Sequence, residues 1–167
     1  MKHARLFTFQ RACILNLFDE TGKYTPTWKG INASAKDRIA YTYAGSFLKR
    51  LGLSDGNCPP VWTYETQPEN LEHLATMLLS DHELSQSDFV TLELSVPSNM
   101  ILRSSYHQWC SVYFDCLETG EIGDDGGWLD WSSASTDDAD DVIQAILPFL
   151  KRTWIVSCAP LHQNPQV

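Results

Sequence analysis

Between Glu118 and Asp141 there is not one lysine or arginine. The same stretch carries nine carboxylates (Glu118, Glu121, Asp124, Asp125, Asp130, Asp137, Asp138, Asp140 and Asp141), leaving twelve acidic residues against twelve basic ones in the rest of the chain. A negative patch focused beside Gly123, Gly126 and Gly127 marks either an acidic loop or a surface that repels phosphate. Clustered Lys and Arg are missing elsewhere too. With a pI near 4.8, this argues against broad binding to a phosphate backbone and so against DNA or RNA as a partner.

Other absences narrow the class further. The chain has no Cys-x-x-Cys pair, and its five cysteines (Cys13, Cys58, Cys110, Cys116, Cys158) are odd in number and scattered. They read as reduced thiols in a cytoplasmic protein rather than as a disulfide framework. His107, Cys110 and Cys116, with Cys158 and His162, lack the paired spacing of a zinc site. Asp124, Asp125, Gly126, Gly127 and Asp130 match a calcium loop in composition but not in register. No apolar run approaches membrane-spanning length, and the stretch after Arg5 is broken by Thr8, Gln10 and Arg11, too brief and polar for a signal segment. No repeat, linker or low-complexity tract divides the sequence, so residues 1–167 are expected to form a single domain.

What is present is an alternation of strand and helix signals. Arg5 to Phe9 is β-prone, and Ala12, Ile14, Leu15, Leu17 and Phe18 follow at helical spacing until Gly22. Lys23 to Ser34 is irregular. Lys36 to Leu51 predicts a helix with Ile39, Tyr43, Phe47, Leu48 and Leu51 inward and Gly52 as its cap. Val61 to Glu65 is a strand by its aromatic and β-branched content. Pro68 opens a helix through Leu79 with Leu71, Leu74, Leu78 and Leu79 on one side. Phe89 to Val96 alternates apolar with polar residues, the clearest strand pattern in the chain. Met100 to Leu102 predicts a short strand, and Ser104 and Ser105 can cap a helix carrying Trp109, Val112, Tyr113 and Phe114. At the far end of the acidic stretch, Thr136 followed by four aspartates is good helix-start chemistry. Pro148 favours the competing reading, strands at Val142 to Leu147 and Trp154 to Cys158. The expected class is α+β: one compact domain of mixed, mainly antiparallel sheets with flanking helices.

Candidate chemistry is sparse. Cys110 has His107 one helical turn away but sits among aromatics, the setting of a core thiol. Most tryptophans belong in a core, whereas Trp128 and Trp131, within the Gly-rich acidic stretch, suit a cleft cover or a partner contact.

Arg5-Leu6-Phe7-Thr8-Phe9-Gln10, Pro60 to Tyr64, Leu92 to Pro97, Ile101 to Ser104 through Trp109, and Ile143-Gln144-Ala145 ahead of Trp154 to Val156 together resemble an uncharacterised bacterial domain family. That family opens with a Leu-Trp-Thr-x-Gln strand and carries a Leu-Glu-x-x-Val-Pro strand. Its strand order is in turn similar to the ADP-ribosyltransferase-like fold. The resemblance implies NAD as cofactor. Arg5, Thr8 and Gln10 would contact the dinucleotide, Tyr43 or Tyr64 would stack on nicotinamide, and Gln144 would stand where a catalytic Glu is expected. A neutral Gln cannot supply the charge that stabilises a developing cation, so Asp140 or Asp141 would have to reach in. Two functions follow. One is an NAD- or nucleotide-binding protein of ADP-ribosyltransferase type with weak or lost catalysis. The other is a non-catalytic interaction protein, from a phage or a bacterial defence locus, whose acidic Glu118 to Asp141 face occupies a basic protein surface.

Overall fold

Four buried side chains, Val90, Leu92, Leu94 and Val96, alternate with half-exposed neighbours along Phe89–Pro97, and this period of two organises one part of the molecule. The computed structural model describes residues 2–31, 33–66, 68–86, 88–123, 129–132 and 141–161. In chain order the elements are β1 (His3–Arg11), α1 (Ile14–Thr21), β2 (Lys23–Tyr24), α2 (Ala35–Arg50), β3 (Val61–Glu65), α3 (Pro68–Leu78), α4 (Asp81–Gln86), β4 (Phe89–Pro97), β5 (Leu102–Ser105), α5 (Tyr106–Thr119), β6 (Ile143–Leu147), β7 (Leu150–Lys151) and β8 (Ile155–Pro160). The class is α+β with mainly antiparallel pairing, as the sequence predicts. No described helix is long and apolar enough to cross a membrane. By contact, the chain groups into two compact units: Met1–Tyr24, Thr63–Ser98 and Lys151–Val167 form the first, and Thr25–Trp62 with Asn99–Leu150 the second.

In the first unit β1 and β4 run antiparallel over nine residue pairs, from His3 opposite Pro97 to Arg11 opposite Phe89. Tyr64 of β3 pairs with Phe7 on the other side of β1. β8 pairs antiparallel with β4, with a bulge at Glu93 and Leu94. Leu6, Phe7 and Thr8 are buried in succession, so mid-β1 is covered on both faces. α3 packs against β1 through a buried side formed by Leu71, Leu74 and Ala75. Leu78, expected on that side, is exposed, because Ala75 completes the inward row one turn after Leu71. α1 buries Ile14 and Phe18 and ends at Gly22, whose φ of +68° is open to glycine at little steric cost.

The second unit is built on α2 and α5. Its core joins Ala40, Ala44 and Leu48 of α2 to Trp109 and Cys116 of α5, with Leu129 and Ile146. Ile39 and Leu51, predicted inward, are 39% and 58% exposed. The inward row is instead the four-residue ladder 40, 44, 48, where small alanines leave room for the large rings facing them. Tyr41, Trp62, Trp109 and Tyr113 form one aromatic cluster, with Trp62 and Trp109 centroids 4.5 Å apart.

The helix ends are tied together. Ser34 and Asp37 form a reciprocal capping box at the start of α2, and the Tyr113 hydroxyl of α5 donates to Asp37 at 2.6 Å. Lys36 Nζ donates to the carbonyls of Leu117 and Glu118 at 2.6 and 3.0 Å, placing a cation on the negative end of α5. The segment Met100 to Leu102, predicted as a strand, begins as a single 3-10 turn at Ser98–Met100; extended structure starts only at Leu102. β5 and β6 then pair antiparallel, Leu102 opposite Ile146 through Ser105 opposite Ile143. The strand reading of Val142 to Leu147 is the observed one.

Desolvation pushes the Asp37 carboxyl up, but hydrogen bonds from Tyr113 and from the Ser34 side chain and backbone outweigh it and hold the group below its ordinary value of 3.8. A depressed folded pKa stabilises above the unfolded pKa and is lost as pH falls through the folded one. Asp37→Asn is therefore expected to lower the melting temperature at neutral pH and to flatten its decline below about pH 4. Thermal melts of both proteins at pH 7 and pH 3 check this; parallel pH profiles would show that Asp37 contributes nothing through its charge.

Candidate functional site

All the residues that the resemblance assigns to a dinucleotide are described except Asp140. In the first unit, Thr8 is 1% exposed and accepts from Gln10 Nε2 at 2.9 Å, so these two are brought together on one face of β1. Arg5 lies on the opposite face of that strand. Its Nε donates to Glu93 of β4 at 2.7 Å, and its guanidinium lies 4.9 Å from the Phe7 ring centre. The Arg5 donation is the main influence holding the Glu93 carboxyl below its ordinary range. Tyr64 is buried, with its ring stacked on Phe9 at 6.2 Å.

In the second unit, Gln144 on β6 is 1% exposed and donates to the Ser104 hydroxyl of β5 at 3.1 Å. A buried amide must find partners of this kind, since an unsatisfied one costs about 1–3 kcal/mol. Asp141 stands just before β6 with its side chain 3% exposed. Its carboxylate accepts from the Ser105 hydroxyl, from the His107 N–H at 3.0 Å and from the Val142 N–H at 2.8 Å. It therefore caps the N-terminus of α5, where negative charge is favoured, and joins that helix to the start of β6. Ser105 caps the same helix through Gln108 N–H at 3.1 Å. His107 Nδ1 lies 3.9 Å from Asp141 with its ring half exposed. Tyr43 is half-buried and meets Phe47 edge-on at 5.1 Å.

Cys110 is half-buried, and burial pushes its thiol up against the opposing hydrogen bond from Tyr106, with a smaller upward push from Asp141. A thiol held protonated is a poor nucleophile. Cys116 is fully buried in the core. No group of His, Cys, Asp and Glu suited to a metal ion occurs among the described residues.

Concavity is found elsewhere, on the second unit. Phe47, Arg50 and Leu51 at the end of α2, Leu102 at the start of β5, and Leu129 to Ser132 line a groove of about 740 Å³, within the range of ligand and peptide sites. Its walls are mainly apolar. The segment Leu129 to Ser132 lies in the middle of the acidic run, and apolar contact and backbone pairing hold it there. Leu129 is buried, the Trp131 ring sits 5.2 Å from Phe47, the Arg103 N–H donates to the Trp131 carbonyl at 3.3 Å, and Ser132 bridges Arg103. Trp131, predicted as a cleft cover or partner contact, is a half-buried groove wall packed on the core. Trp128, Asp124, Asp125, Asp137, Asp138 and Asp140 lie outside the described residues.

Phe47, Arg50 and Leu102 were not singled out for function from the sequence. Their only signal was an arginine three residues after a phenylalanine at a helix end, where the two share a face. No protein family, no curated protein and no solved structure matches the chain.

Asp141→Ala leaves three donors without their acceptor. It is expected to lower the unfolding free energy by about 2–3 kcal/mol, measured by urea denaturation at unchanged slope. A loss below about 0.5 kcal/mol would mean that the carboxylate is not what joins α5 to β6.

Proposed function

We propose that the protein is a non-catalytic interaction module that binds a basic protein segment carrying a bulky apolar side chain. The observation that carries this reading is the apolar groove of Phe47, Leu51, Leu102, Leu129 and Trp131, one wall of which belongs to the nine-carboxylate stretch. A hollow of this composition takes up an apolar anchor, while carboxylates without a compensating Lys or Arg in their own segment attract cations. Glu118, Glu121 and Asp130 are exposed there.

The dinucleotide reading asks more of the residues concerned. Thr8, Gln144 and Tyr64 would have to exchange buried partners for ribose and nicotinamide, and each exchange costs the hydrogen bond or ring contact already made. Gln144 would also bring no charge to the reacting centre.

Short peptides with several lysines or arginines and one leucine or phenylalanine are the expected ligands, followed by fluorescence anisotropy. Binding should weaken as salt rises. Leu51→Lys, at an exposed position on the groove, should weaken it about tenfold. A thermal-shift titration with NAD should leave the melting temperature unmoved. Unchanged peptide binding in Leu51→Lys, or a concentration-dependent rise in melting temperature with NAD, would overturn the interaction reading in favour of the nucleotide one.

A further inference from the structure

Arg50 is an exposed cation at the lip of an apolar groove. Its guanidinium lies 3.9 Å from the centre of the Phe47 ring, a stacking that constrains the plane of the fork. Arg5 and Arg152 each hold a carboxylate, at 2.7 and 2.8 Å. Arg50 holds none among the described residues. In a chain of net charge −9, an arginine held in place without an anion is set for one that arrives from outside.

We propose that the groove captures the free C-terminus of its partner, with the terminal carboxylate on Arg50 and the last side chain, bulky and apolar, lying among Leu51, Leu102, Leu129 and Trp131. This rests on the interaction reading above and specifies its ligand. The geometry selects a terminal residue over an internal acid. The cation and the apolar wall are within one residue's reach of each other, because Arg50 stacks on a ring that itself lines the trough. A terminal residue presents a carboxylate and a side chain from the same Cα. An internal Asp or Glu uses its side chain for the carboxylate, and its neighbours in an extended segment point away from the trough. Lysines or arginines upstream of that terminus meet the exposed Asp130 on the groove, so the ligand is a basic tail ending in an apolar residue. Capture of a C-terminal carboxylate is a known mode of peptide recognition.

The test uses the full chain and one labelled peptide, Lys-Arg-Lys-Ser-Leu, as the free acid and as the C-terminal amide. The free acid should bind the wild type about tenfold more tightly than the amide, and the difference should vanish in Arg50→Gln, an exposed substitution whose folding is checked by thermal melt. Equal binding of acid and amide to the wild type would overturn carboxylate capture while leaving the interaction module standing. Failure of both forms to bind would remove the module reading itself. Displacement of the peptide by N-acetyl-leucine at equal concentration would overturn the peptide terminus in favour of a small apolar acid.

Discussion

Carboxylates crowded into one stretch of chain repel one another, and Leu129 to Ser132, the described middle of the Glu118 to Asp141 run, is held by apolar contact and backbone pairing rather than by charge. Leu129 is buried in the core and Trp131 packs on Phe47, while at the two ends Lys36 sits on the last carbonyls of α5 and Asp141 on its first amides. Each anchor answers a different part of the problem. Burial of Leu129 and the Trp131 ring contributes a few kcal/mol that does not depend on pH or salt. Lys36 and Asp141 act on a helix dipole whose ends they complement. The groove exists because the apolar anchors lie beside the end of α2, so the same two side chains that pin the segment also shape the surface available to a partner.

Much of the fold was legible because its signals were local. The alternation from Phe89 to Val96 demanded a strand with one covered face, and Gly22 stopped α1 where a left-handed residue was needed. The face of α2 was not legible. Ile39 and Leu51 have the hydrophobicity of core residues, yet Ala40 and Ala44 took the core because the rings of Trp109, Tyr41 and Tyr113 already fill the space next to them. Close approach there requires small side chains, and only knowledge of the facing element reveals that requirement. Leu102 shows the same limit in a strand: the backbone turns once through Ser98–Met100 before extending to pair with β6.

Site residues were harder to read than elements. Thr8 and Gln144 are polar residues in otherwise apolar strands, and a sequence presents such a residue identically whether it contacts a ligand or closes a hydrogen bond inside the protein. Here Gln10 and Ser104 supply the partners. Gln10 lies two residues away and was foreseeable from the strand period. Ser104 lies forty residues away on a strand whose pairing could not be foretold, so nothing local showed that Gln144, singled out by the resemblance, closes a bond inside the protein. Arg50 had the opposite fault. Surface arginines near helix ends are common, and what distinguishes this one, its place on a groove closed by residues eighty positions later, is a property of the tertiary structure alone.

If the second unit binds a basic tail as proposed, affinity and rate should divide between its two features. At physiological ionic strength charges are screened within about 8 Å, so on the proposed interaction reading the acidic run would speed encounters with a basic tail but do little to hold it once bound. Retention would then fall to the trough, where an apolar side chain leaves water, and to Arg50, whose plane Phe47 already constrains. A ligand lacking cations would then arrive slowly but stay about as long, and one lacking the apolar residue would arrive quickly and leave at once. That separation follows from the reach of each force, since Coulomb attraction acts before contact and burial only after it.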